Sequence, residues 1–191
     1  MNEIILPQPR REGGKPLMEV LSGRRSSRDY TAEELDLQTL SDLLWAAFGP
    51  VSPKRRTAPS SHNRQEIDLY VVLKSGVFIY DAYENVLRPH LEGDFRALAG
   101  VQEFVAGAPL NVVMVADTTK ITGKTPQGVI ETIYADTGFI SQNIYLYCTS
   151  AGLAGVSRAL IDKEALAAVL GLSETQVITL IHTVGVPAPR K

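Results

Sequence analysis

The stretch "VIETIYADTGFISQNIYLYCTSAG", residues 129–152, decides the fold. It holds no proline, and its apolar side chains fall around the whole circumference of a helix rather than along one stripe. A helix of that character is buried in a core or in an interface. Upstream, "LNVVMVAD" (110–117) is a continuous apolar run and reads as a buried strand. Downstream, "QVITLIHTVG" (176–185) reads as a last strand. "EIDLYVVLKSGVFIYD" (66–81) has two apolar runs around Lys74-Ser75-Gly76, the sign of a β-hairpin.

Helical segments surround these strands. "PLMEVLSGRR" is a short amphipathic helix that Gly23 can end. "TAEELDLQTLSDLLWAAFG" starts at a Thr31/Glu34 capping box or at Asp36, with Leu37, Leu40, Leu44 and Phe48 on one face. "DFRALAGVQEFVAGAP" is expected to be helical up to Pro109, and "DKEALAAVLG" runs from an Asp162 cap to Gly171. Residues 1–16 read as an extended arm, and "PVSPKRRTAPSSHNRQ" (50–65) as loop. There is no βαβ alternation and no internal repeat. The expected class is α+β: a mostly antiparallel central sheet flanked by helices, with one buried central helix, in a single domain over residues 1–191.

Composition narrows the function. A net charge of −2 supplies no global field for nucleic acid. Cys148 is the only cysteine, which excludes an internal disulfide framework and a cysteine-based zinc site. No apolar run approaches the roughly 18 residues of a membrane span, and "MNEIILPQPRREGG" has no apolar signal core. A cytoplasmic location is expected, or a periplasmic one if a leader has been removed.

Three motifs fall short of their chemistry. "TTKITGKT" ends like a phosphate-binding loop but has Thr118 where the first glycine belongs. "GVSRA" (155–159) is one residue short of a nucleophile elbow, and the long helix precedes it instead of following. His62, His90 and His182 are scattered without a close metal-ligand partner, so no metal is expected.

"SGRRSSRDY" (22–30) is different. Arg24, Arg25 and Arg28 alternate with hydroxyls where one helix ends, and a guanidinium fork matches phosphate oxygens in pairs. A solvated helix end would look much the same taken alone. "APSSHNRQ" (58–65), a proline-fixed loop rich in hydroxyl and amide groups, offers a second set of donors and acceptors.

In this order along nearly the whole chain, the segments resemble the FMN-dependent nitroreductase family, in particular its branch near the azoline dehydrogenases of peptide maturation. "GRRSSRDY" resembles the family's phosphate motif, "LQTLSDLLWAAFG" its second helix and "RRTAPSSHNRQEIDLYVV" its flavin loop and following strand. "DTGFISQNIYLYCTSAGL" resembles its long central helix, and "LIHTVGVP" its final strand. The least similar region, roughly 81–130, is where a substrate lid is expected.

The resemblance implies a homodimer with FMN at the subunit interface, no nucleic-acid or membrane partner, and a small-molecule substrate. By position, Arg24, Arg25, Ser26 and Arg28 would hold the phosphate and ribityl chain. Pro59, Ser60, Ser61 and Asn63 would meet the ribityl chain and ring, the first three open to contribution from the opposite subunit. Gly155, Val156, Ser157 and Arg158 match the loop passing the flavin N5, where a backbone N–H donates. Arg190 or Lys191 would add a late phosphate contact. The family's glutamate–glycine pair is absent, with Ala159 and Leu160 near its place. Gln142 on the central helix reads as a polar interface residue. The implied reaction is ping-pong hydride transfer from NAD(P)H through the flavin to a nitroaromatic or quinone-like acceptor, with no catalytic side chain. An azoline-type dehydrogenase acting on a modified peptide would instead need a base, for which Tyr134 and Lys124 are the candidates. A flavin-binding protein without turnover is the remaining alternative.

Overall fold

The computed structural model describes residues 1–189. In chain order the strands are β1 (Ile4–Ile5), β2 (Pro50–Ser52), β3 (Arg55–Arg56), β4 (Ile67–Leu73), β5 (Gly76–Asp81), β6 (Val86–Glu92), β7 (Leu110–Asp117), β8 (Ala154–Arg158) and β9 (Gln176–Gly185). The α-helices are α1 (Leu17–Gly23), α2 (Leu37–Phe48), α3 (Phe104–Gly107), α4 (Pro126–Ala151) and α5 (Lys163–Leu170).

Seven strands form one sheet in the order β1-β6-β5-β4-β7-β9-β8, and every neighbouring pair is antiparallel. The apolar runs at the middle are covered on both faces. Leu69, Val71, Val112 and Met114 point to the side of α2 and α4. The intervening Tyr70, Val72, Val113 and Val115 point to the side of α5 and the 95–107 segment. The period of two thus builds two cores from one set of strands. The α+β architecture with a buried central helix is what the sequence leads one to expect.

Helix α4 is tightly delimited. Thr125 caps it by accepting the Gly128 N–H, Pro126 opens it, and Gly152 closes it in the left-handed conformation. Ile133, Asp136, Thr137, Ile140, Ile144 and Cys148 form the buried stripe, at the three- and four-residue spacing of one helical face. The opposite side remains open, with Ile130, Tyr134 and Phe139 exposed. One chain therefore covers only half of a helix that is apolar on both sides.

Several local expectations are corrected. Asp36, not Thr31, caps α2, accepting from the Thr39 N–H at 2.8 Å. The 50–65 loop carries the small β2–β3 hairpin and a 3-10 turn at Ser61–Asn63. The 94–108 segment is broken into a 3-10 turn, Arg96–Ala99, and the single turn of α3. The break falls at Gly100, where a Cβ would strike the Arg158 guanidinium. Residues 81–130 form no lid, since they supply β6 and the central strand β7. The N-terminal arm is extended, as expected, and Ile4–Ile5 adds an edge strand beside β6.

Candidate functional site

The arginine stretch leaves α1 and is laced to the C-terminal edge of the sheet. The Ser27 N–H donates to the Gly155 carbonyl at 2.9 Å, and the Thr31 N–H to that of Val186 at 2.9 Å. The Tyr30 hydroxyl donates to the Ser27 carbonyl at 2.6 Å. These bonds fix the backbone and leave the guanidinium groups outward. Among the described residues, none of Arg24, Arg25 and Arg28 forms a salt bridge. Arg24 lies over the Tyr145 ring, 5.1 Å from its centroid. Arg25 lines a cleft of about 580 Å³ between α1, α4 and β8, together with Lys15, Ser27, Tyr145, Thr149 and Gly155. Arg25, Ser26, Arg28 and Pro187 border a second opening of about 1070 Å³. Three unpaired cations with hydroxyls between them suit a phosphate ester.

The 58–65 loop lies elsewhere on the surface, bordering a cavity of about 670 Å³ with Lys54, Arg55, Arg56, Pro59, Ser60 and Asn63. Its backbone is constrained: His62, Asn63 and Gln65 have φ of 54°, 54° and 51°. Non-glycine residues occupy this region rarely and only where surrounding bonds hold them. The Asn63 amide donates to the Lys54 carbonyl at 2.6 Å, and Ser60 Oγ accepts the Gln65 N–H at 2.9 Å. Beneath the loop, Asp136 of α4 accepts the Ser61 N–H at 2.7 Å. Beside Asp136, the Glu66 carboxyl is fully buried with neither oxygen hydrogen-bonded to another group. Burial, reinforced by Asp136, pushes its pKa up to about 7. The loop is therefore clamped to α4 through Asp136, with a second carboxyl buried beside it.

Pro59, Ser60, Ser61 and Asn63 do not meet Arg24–Arg28 within one chain. Ser61 bonds Asp136, while Ser26 bonds Tyr145. Those helix positions differ by two and a half turns, about 13 Å along the axis and on opposite sides. The helix stands between the two stretches.

Residues 155–158 form strand β8, not a loop. It pairs with β9 on one side and leaves its other edge toward the arginine stretch. Gly155 is glycine because a Cβ would lie 3.0 Å from His182 Nε2 and 3.3 Å from Cys148 Sγ. Val156 is buried, whereas the Ser157 N–H reaches the open edge and donates to the Tyr145 hydroxyl at 2.9 Å. The Arg158 side chain turns inward. Its guanidinium donates to Thr183 Oγ1 at 2.7 Å, to Asn111 Oδ1 at 3.1 Å and to the Ala99 carbonyl at 3.0 Å. Burial lowers its pKa to about 10. Arg158 is thus a core cation, and its side chain is not available to a ligand. Arg190 and Lys191 lie outside the described residues.

Other candidates take definite places. Thr125 of "TTKITGKT" caps α4. His62 is on the loop, and His90 Nε2 contacts the Leu170 carbonyl at 2.8 Å. His182 is buried, pushed down to about 3 by burial and then by Arg158, and is therefore neutral. Gln142 is exposed on α4. Tyr134 meets a lysine, but it is Lys163, whose Nζ donates to the phenol at 2.7 Å; Lys124 sits in the exposed turn before α4. Sequence reading missed that pair because α5 brings it together from a distance. It also missed Tyr145, which nothing in the local pattern distinguishes from a helix-face aromatic.

An antiparallel sheet with a long helix across one face, and a cation-lined cleft at the sheet edge, defines the class: an α+β fold of the nitroreductase type. A Ralstonia eutropha JMP134 protein described as a nitroreductase, solved by crystallography, matches it with a TM-score of 0.92 at 37% identity, covering 98% of this chain and 90% of that one. A NADH oxidase structure from Clostridium acetobutylicum shares the fold at 20% identity and a TM-score of 0.64, covering 90% and 89%. A Methanocaldococcus jannaschii protein named as a nitroreductase is 31% identical over 160 residues, covering 78% of this chain and 81% of the relative. The family model described as "Nitroreductase family" matches residues 21–186. The chain belongs to the nitroreductase family, which points to an oxidoreductase.

Proposed function

We propose that the protein is an FMN-dependent oxidoreductase that carries hydride from NAD(P)H to a small electron acceptor of the nitroaromatic or quinone type, working as a homodimer. The observation that carries this reading is the row of unpaired guanidinium groups at Arg24, Arg25 and Arg28, set with Ser26 and Ser27 beside the open edge of β8. In this reading the arginines and Ser26 bind the phosphate end of FMN, and the Gly155–Ser157 backbone edge faces the ring. When bound, FMN supplies the hydride chemistry. The protein supplies binding, orientation and positive charge that favours an anionic ligand.

Two observations support a dimer. The outer face of α4 leaves Ile130, Tyr134 and Phe139 exposed, and α1 adds exposed Leu17, Met18 and Leu21. The 58–65 loop lies across α4 from the arginine stretch, so a second copy is the route by which both can meet one ligand. The Pro59–Ser61 segment would then come from the opposite subunit.

The test is FMN affinity in Arg24→Ala/Arg28→Ala. Each charge-assisted hydrogen bond contributes about 1.5–3 kcal/mol, so the double variant should bind FMN at least about a hundredfold more weakly. Unchanged affinity would remove the arginine stretch from the site.

A further inference from the structure

Tyr145 joins the arginine stretch to the sheet edge through a single oxygen. Among the described residues strand β8 pairs only with β9, so alternate backbone groups on its outer edge need other bonds. The Gly155 carbonyl accepts the Ser27 N–H. The Ser157 N–H donates to Tyr145 Oη at 2.9 Å, and the same oxygen lies 2.9 Å from Ser26 Oγ. An amide N–H can only donate, so the phenol oxygen accepts from Ser157, while either hydroxyl of the Tyr145–Ser26 pair can donate to the other.

The ring carrying this oxygen is held on more than one side. The neutral imidazole of His182 meets it edge-on, with centroids 4.5 Å apart and planes at 73°, and the Arg24 guanidinium covers it at 5.1 Å. His182 is itself anchored, its Nδ1 lying 3.1 Å from Ser141 Oγ. Tyr145 also lines the 580 Å³ cleft with Arg25 and Gly155. Ser26 borders the neighbouring opening of about 1070 Å³, so a wedged ring whose hydroxyl joins Ser26 to β8 sets the spacing between the arginine stretch and the sheet edge.

We propose that Tyr145 is a positioning residue for the ligand of this cleft. Its hydroxyl holds Ser26 and the Ser157 edge of β8 at a fixed separation before a flavin nucleotide enters. The proposal rests on the FMN reading above. Its consequence is that ligand binding need not order the rim, which raises affinity without a new ligand contact.

Tyr145→Phe tests this directly, because it keeps the ring, the Arg24 stack and the His182 contact, and removes only the oxygen. Two hydrogen bonds of the apo-protein are lost, so its melting temperature should fall modestly. FMN affinity should also fall, about tenfold, because the ligand must then order the rim itself. The visible absorption bands of bound flavin should shift, which loss of general stability would not cause. A double-mutant cycle with Ser26→Ala supplies the second measurement. The loss in the double variant should be smaller than the sum of the two single losses, since both break the Ser26–Tyr145 bond while each removes one further contact of its own. Full additivity, or a Tyr145→Phe protein with wild-type affinity and a superimposable flavin spectrum, overturns the positioning role while leaving the FMN reading intact. Failure of the wild-type protein itself to bind FMN overturns the FMN reading and this proposal together.

Discussion

Asp136, halfway along α4, accepts the backbone N–H of Ser61 at 2.7 Å and shares its buried surroundings with the carboxyl of Glu66. The buried Glu66 beside this bond makes stability dependent on pH. Glu66 rises from an ordinary value of 4.5 to about 7, chiefly through burial. The folded protein therefore binds this proton more tightly than the unfolded chain. Stability from this group is fully present below about pH 4.5, falls as pH rises to about 7, and is flat above. Glu66→Gln mimics the protonated form at every pH. Denaturant unfolding at pH 5 and pH 8 should show Glu66→Gln close to wild type at pH 5 and more stable by about 2 kcal/mol at pH 8. Parallel pH profiles would show that Glu66 is not raised by its burial.

Arg158 gives a second prediction, opposite in kind to the arginines of the 22–30 stretch. Its guanidinium is bonded to Thr183, Asn111 and the Ala99 carbonyl and stacks 5.8 Å from the Phe104 ring centroid. Arg158→Ala leaves a void and buried acceptors without their donor, so unfolding free energy should drop by about 3 kcal/mol. FMN affinity, measured well below the melting transition, should stay within about twofold of wild type, since an inward side chain makes no ligand bond. A large loss of affinity with unchanged stability would return the side chain to the ligand site.

The outer face of α4 provides the third. Phe139→Glu places a charge where the proposed dimer would bury an aromatic ring, at a position exposed in the single chain. Light scattering coupled to size exclusion should report a monomer, with far-UV circular dichroism unchanged and FMN retention lost. A dimer that survives Phe139→Glu with its FMN would place the interface elsewhere.

Much of this architecture could be read from residue order. The runs that became β4, β5, β7 and β9 are apolar enough to be strands without tertiary help, and Asp162 and Gly171 bracket α5. What escaped depends on contacts between distant segments. Strand β6, "VLRPHLE", alternates poorly, and Pro89 weakens its pattern; its pairing with β5 places it in the sheet. The expected helix over 94–108 is interrupted at Gly100, which has the Arg158 side chain packed against it, a contact no local pattern contains. The site divides in the same way. Arg24, Arg25 and Arg28 stand out by charge density alone, whereas Tyr145 becomes notable only when α4 is laid against β8. Arg158, identical in type to the other arginines, could not be separated from them until β8 showed which way it points.

The most direct measurement of the central claim is a visible spectrum of the protein incubated with micromolar FMN and desalted, followed by anaerobic titration with NADH and with NADPH. The account predicts a yellow protein whose flavin bands bleach with at least one of the two donors and return on addition of a quinone. A colourless protein after desalting would contradict it, and so would bound flavin that neither donor reduces.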